Sequence, residues 1–268
     1  MDNSELILTG FSAIDSVTGG LKPSELVVIA GRPSAGKTSL AISIAKNVAV
    51  DMGFSTAFLT LKMNNVRLAN LFISNACTIR AGKLLHGQLD SADWDRLDEN
   101  INKLLDSPLY MDDSPSPTLE EIEDKVRHFV KEHGTRLFVI DHLGLIEIPN
   151  VRDRQLELAV ALHYLKRIAL ELHVVIIAVS MLASGVDLAK RAPQISDYEE
   201  FKAIGRYADS AYFIYRPDKN HLGNTYKNNG VKYCGCIEIA KRGTTNTINV
   251  LLKYNWESCR FENLNTAC

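Results

Sequence analysis

Leu26-Val27-Val28-Ile29-Ala30-Gly31-Arg32-Pro33-Ser34-Ala35-Gly36-Lys37-Thr38-Ser39 decides the fold of this chain. An apolar, β-type run enters a loop rich in Gly, Pro and Ser, and the loop enters a helical pattern through Leu40, Ile42, Ala45 and Val48. Strand, loop and helix in that order, with G-x-x-x-x-G-K-S/T across the join, form a phosphate-binding loop in the context that confirms it. Gly31 and Gly36 let the main chain curl so that successive N–H groups face phosphate oxygens, and the helix start adds the positive end of its dipole. Arg32, Pro33, Ser34, Ala35 and Ser39 complete the cradle. Lys37 is expected to reach the outer phosphates and the Thr38 hydroxyl to ligate Mg2+.

Further strand-like runs follow at Thr56–Leu61, Arg136–Ile140, Val174–Val179, Ala211–Tyr215, Ile237–Ala240 and Thr247–Lys253. The first four strands, counting Leu26–Ala30, are almost uninterrupted in apolar and β-branched residues, as strands buried on both faces of a parallel sheet must be. Helical repeats separate them: Trp94, Leu97, Ile101, Leu104 and Leu105; Leu119, Ile122, Val126, Phe129 and Val130, opened by a Thr118-x-x-Glu121 capping box; and Leu156, Val160, Leu165, Ile168 and Leu172. This alternation predicts a doubly wound α/β sheet with an antiparallel edge made by the last two strands and ligands at the carboxyl ends of the parallel ones. The run Leu137-Phe138-Val139-Ile140 delivers Asp141 into that same crevice. A strand ending in Asp is also a common helix cap, but paired with the loop upstream Asp141 is expected to hold Mg2+ beside Thr38.

The 268 residues are enough for one well-filled domain, and no repeat or internal linker interrupts them. A net charge of -2 excludes a surface coated in basic residues, so nucleic-acid contact requires a local patch. No apolar run approaches the ~20 residues of a membrane span, and the first residues lack the pattern of a signal peptide, so a cytoplasmic protein without membrane contact is expected. The five cysteines are scattered and odd in number, which suits free thiols. Cys234-Gly235-Cys236 lacks the second pair that a metal site needs.

The chain resembles the bacterial and phage replicative DNA helicases of the DnaB type, whose motor is a RecA-like P-loop ATPase domain. The resemblance rests on Thr9-Gly10-Phe11 with Gly19-Gly20-Leu21-Lys22-Pro23-Ser24, the loop Arg32–Thr38, Gly87-Gln88-Leu89 with Trp94, and Tyr110-Met111-Asp112-Asp113-Ser114. It continues through Ile140-Asp141-His142-Leu143, Ser196-Asp197 with Glu200, Ala208-Asp209, Phe213-Ile214-Tyr215-Arg216, Trp256 and Arg260-Phe261, from about Leu8 to Asn263. It implies a single RecA-like domain over 1–268 with tails at 1–8 and 264–268 and no counterpart of the family's N-terminal domain. ATP and Mg2+ would sit between neighbouring subunits of a hexameric ring, or against other replication-helicase subunits, with single-stranded DNA in the channel.

Several positions depart from the family pattern. Thr60-Leu61-Lys62-Met63 stands where the family carries Ser-Leu-Glu-Met, so Lys62 replaces the glutamate that orients the attacking water; an ammonium donates but cannot accept. Ser180-Met181-Leu182 puts a thioether at the place of a γ-phosphate-sensing Gln. The segment that supplies cations to the neighbour's ATP reads Lys241-Arg242-Gly243, which keeps Lys241 and moves the Arg one place, to the opposite face of a strand unless a bulge intervenes. Between Ser184 and Gly205, and just after, Lys190, Arg191, Lys202 and Arg206 are candidates for DNA phosphates; Asp187, Asp197, Glu199 and Glu200 dilute that basic signal, and a solvated loop is the competing reading. Family membership favours a DNA-translocating motor. The altered positions favour a domain that binds nucleotide and hydrolyses it poorly, as a partner, loader or regulator in replication. A recombinase-like filament protein would share the same core but not the helicase-specific segments.

Overall fold

The computed structural model describes residues 6–113, 118–149, 151–182, 200–215, 234–241 and 247–264. The strands are β1 (Leu26–Gly31), β2 (Thr56–Thr60), β3 (Leu109–Asp112), β4 (Leu137–Asp141), β5 (Val175–Met181), β6 (Ser210–Tyr215), β7 (Cys234–Lys241), β8 (Thr247–Asn255) and β9 (Arg260–Glu262). The helices are α1 (Ser12–Thr18), α2 (Lys37–Lys46), α3 (Asn65–Cys77), α4 (Ala81–His86), α5 (Ser91–Leu105), α6 (Leu119–His133), α7 (Arg154–Leu172) and α8 (Phe201–Tyr207). Among the described residues the strands join into a single sheet in the order β3-β2-β4-β5-β1-β6-β7-β8-β9.

From β3 to β6 every pairing is parallel, and from β6 to β9 every pairing is antiparallel. The expected mostly parallel α/β sheet with an antiparallel edge is therefore the architecture of the chain, and that edge has three strands where two were expected. The two unexpected strands, β3 and β9, are short and lie at the two ends of the sheet. In β3 all four residues are half-buried, so it lacks the continuous apolar run that marks a doubly covered strand.

Alternate side chains of β1 feed two separate cores. Val27 and Ile29 pack with α2, whereas Leu26, Val28 and Ala30 pack with α6 and α7. This is why β1, β4 and β5 are buried along almost their whole length. Helix α2 is buried from Ser39 to Ala45 because the sheet strands, β9 among them, and helix α3 pack against it. Helix α6 begins at the expected capping box: the Glu121 N–H donates to Thr118 Oγ1, and the Thr118 N–H donates to Glu121 Oε2. Helix α5 departs from its pattern: Leu97, Ile101 and Leu104 are half-buried, but Trp94 and Leu105 face solvent. None of the described helices is long and apolar enough to cross a membrane.

Candidate functional site

The crevice lies where strand order reverses. Strands β1, β4 and β5 end side by side, and the connections leaving β1 and β4 diverge around a cleft of about 530 Å3. The loop 31–36 fits its position in detail. A Cβ on Gly31 would lie 2.6 Å from the carbonyl oxygen of Ile214 on β6, so only glycine lets the loop leave the sheet here. Gly36 has φ of 104°, in the left-handed region, and its α-hydrogen faces the ring of Phe261. As N-cap, Gly36 offers no side chain to the first turn of α2, so those amides remain available to an anion.

Beneath the loop, Tyr254 and Phe261 stack with ring centres 4.3 Å apart, and Ser39 Oγ lies 3.1 Å from the Tyr254 hydroxyl. This aromatic floor comes from β8 and β9, more than two hundred residues beyond the loop. The Tyr254 contribution carries no local signal, since the residue reads as one more half-buried strand aromatic. Trp256, just past β8, lines the cleft and is 56% exposed, which leaves its indole open to a flat ligand.

Lys37 Nζ donates to the carbonyl oxygen of Arg32 across the loop at 2.8 Å. Burial, with Lys62 adding to it and Asp141 opposing, pulls the Lys37 amine down to about 8. Asp141 is fully buried at the end of β4. Thr38 Oγ1 donates to Asp141 Oδ2 at 2.8 Å, so the two residues expected at a metal ion meet directly. Next in the chain, His142 accepts at Nδ1 from the Gly144 N–H at 3.1 Å, and burial lowers its pKa against the pull of Asp141. A neutral ring in that arrangement carries its proton on Nε2.

Lys62 is the residue whose placement the sequence did not reveal. It sits on the turn after β2, which is tied down by a hydrogen bond from the Leu61 N–H to the Asp141 carbonyl oxygen at 2.8 Å. From there Lys62 Nζ donates to Thr38 Oγ1 at 2.6 Å and to Asp141 Oδ1 at 3.0 Å, and lies 2.9 Å from Asp141 Oδ2. Mg2+ requires an octahedron of oxygens at about 2.0–2.1 Å, several of them water. Thr38 and Asp141 are the right kinds of ligand, but with Lys62 in place their oxygens are turned to an ammonium and to each other. In this arrangement they do not fit the metal.

Met181, at the end of β5, is the register partner of Gly31 and lines the cleft with 46% of its surface exposed. The structure thus gathers Pro33, Ser34, Gly36, Lys37, Thr38, Ser39, Lys62, Asp141 and Met181 around one cleft. It separates Lys241, which pairs with Ser210 on β6, level with the start of β1 rather than its end. Lys202 and Arg206 are exposed on α8, one turn apart, with the Arg206 guanidinium 5.4 Å from the Tyr207 ring centre. Lys190, Arg191 and Arg242 lie outside the described residues. No group of three or more metal-ligating side chains occurs among the described residues, and described Cys77, Cys236 and Cys259 are free thiols.

Comparison with known proteins gives one consistent result. The family model for the DnaB-like helicase C terminal domain matches residues 7–263. The replicative DNA helicase DnaB of Buchnera aphidicola subsp. Baizongia pistaciae (strain Bp) is 33% identical over 265 residues, covering 96% of this chain and 55% of that protein. The replicative DNA helicase DnaC of Bacillus subtilis (strain 168) is 36% identical over 215 residues, covering 79% and 47%. A solved structure of an ATPase domain superposes with a TM-score of 0.84 at 30% identity, over 98% of this chain and 92% of that one. A DnaB-like replicative helicase, solved in a study of its interactions with primase, gives 0.84 and 30% over 98% of this chain and 62% of the other. The chain spans about half the length of the curated relatives it matches.

Proposed function

Because this chain belongs to the family of DnaB-like helicase C-terminal domains, we propose that it is the nucleotide-binding domain of a replicative-helicase-type protein that holds ATP firmly and hydrolyses it slowly. Gly31–Ser39 would receive the phosphates, with first-turn amides of α2 and Lys37 as donors. His142 lines the same cleft and, with its proton on Nε2, would be a further donor, and Trp256 offers a surface to the base. Assembly into a ring with ATP between copies, and contact with single-stranded DNA through Lys202 and Arg206, belong to the same reading.

One observation carries the slow-turnover half of it. The position from which a carboxylate would orient the attacking water holds Lys62, and its ammonium points at Thr38 and Asp141. An ammonium in that place stabilises phosphate charge but accepts no proton from water. Met181 adds no polar contact to the γ-phosphate, since a thioether is a weak acceptor and no donor. Mg2+ is the family's expected companion to ATP, but no step is assigned to it because Thr38 and Asp141 are engaged with Lys62.

Equilibrium ATP binding and steady-state hydrolysis, measured on one preparation with and without single-stranded DNA, test the proposal. Binding with turnover far below about 1 per second is expected, in either condition. DNA-stimulated turnover at or above that rate would discard the slow-hydrolysis reading and leave a working motor.

A further inference from the structure

Lys62 takes the place that a divalent cation would need. We propose that its ammonium is a built-in replacement for the metal ion, so that this domain binds the triphosphate without Mg2+. The inference rests on the nucleotide-binding reading above and adds to it the ionic form of the ligand.

The charges support the exchange. Where the resemblance places a glutamate and a divalent cation, the two sum to a single positive charge facing the phosphates. Lys62 supplies that same charge alone, so Mg2+ added on top of it would make the site two charges more positive than the arrangement the resemblance implies. Geometry agrees, because the ammonium touches the Thr38 hydroxyl and both carboxylate oxygens of Asp141 at 2.6–3.0 Å. With one N–H given to Thr38 and one to the carboxylate edge, the third can face a phosphate oxygen in the cleft.

Lys62 also has a reason to stay. Asp141 is fully buried, and a buried carboxylate stripped of its cation is costly. No other lysine or arginine forms a described ion pair with Asp141, and Lys37 is turned to the Arg32 carbonyl. The backbone on both sides of the pair is bolted together through Leu61 and Asp141. At the same time the Lys62 side chain is 31% exposed, so the ammonium reaches the open cleft without leaving its partners.

The test is equilibrium binding of a fluorescent ATP analogue in excess EDTA and in excess MgCl2, on the wild-type chain, Lys62→Glu, Lys62→Gln and the loop control Lys37→Ala. Chelation should change wild-type affinity by less than about threefold, and should weaken both Lys62 variants by about tenfold or more. Circular dichroism establishes that each variant is folded, and Lys62→Gln, which keeps a long neutral side chain, stands in if the charge reversal is not. A wild-type chain that loses about tenfold on chelation overturns the inference while leaving nucleotide binding intact. So does a variant whose binding is as indifferent to EDTA as the wild type. Absence of binding in both buffers, equal to Lys37→Ala, overturns the inference and the nucleotide reading together.

Discussion

At the scale of single residues, Gly31 is the most constrained position in the site. Its missing Cβ would stand 2.6 Å from a backbone oxygen of β6 and 3.0 Å from the Ile214 side chain. The oxygen belongs to a strand paired on both sides and has nowhere to go. Gly31→Ala should therefore cost about 1–3 kcal/mol, read as a lower urea midpoint, and should weaken nucleotide binding because the loop must leave the sheet at a different angle. A variant as stable as wild type would mean that β6 yields more easily than its pairing suggests. The need for glycine here was readable from the motif, whose chemistry is confined to consecutive residues. The destination of the Lys62 ammonium was not. A lysine at that position could be seen in the sequence, but its contacts lie 24 and 79 residues away and depend on how β2 and β4 end side by side.

Among elements, the packing of α6 on α7 shows the same division. The capping box and the apolar face of α6 follow from periods of three and four residues, and the structure contains both. Local periodicity overreached on α5, where Trp94 extends the apolar repeat but only three of the five residues find a covering surface. Charges that cross from α7 to α6 carry no such period, although Arg127 stands one turn from Glu123 on α6 itself. Glu123 accepts from the Tyr164 hydroxyl at 2.7 Å, from Arg127 at 2.7 Å and from Arg167 at 2.6 Å. Tyr164 is the largest influence, with both guanidinium groups helping and burial opposing, and together they hold the Glu123 carboxyl down to about 2. A carboxyl lowered on folding adds stability that is fully present above its unfolded value, near 4.5, and is lost as pH falls through the folded one. Glu123→Gln should then be less stable than wild type at pH 7 by about 1–2 kcal/mol in urea unfolding, the hydrogen bonds being charged but partly exposed. That gap should close as pH drops from about 4.5 towards 2, and a gap independent of pH would place the loss in packing instead of charge.

For the whole molecule, topology fixes where Lys241 stands relative to its own phosphate loop. Strand β6 runs parallel to β1 with Ser210 beside Val27 and Ile214 beside Gly31, and β7 returns antiparallel so that Lys241 pairs with Ser210. Lys241 is thus level with Val27, four residues and roughly 13 Å short of the point where the phosphate loop leaves the sheet. In the proposed assembly the resemblance assigns Lys241 to the ATP of a neighbouring copy, and its register position level with the start of β1 fits that assignment. Nucleotide binding and self-association must then be linked, and the linkage is reciprocal. Nucleotide affinity of the wild-type chain should rise about fivefold or more as protein concentration is raised through the range where light scattering detects assembly. Lys241→Ala should lose that rise while binding nucleotide as a dilute chain does. Adding Lys37→Ala chains, whose own loop is disabled but whose Lys241 is intact, should restore it, because the cation and the loop come from different copies. Restoration distinguishes a contact across the interface from a lysine that merely supports β7, and its failure would confine the role of Lys241 to its own subunit.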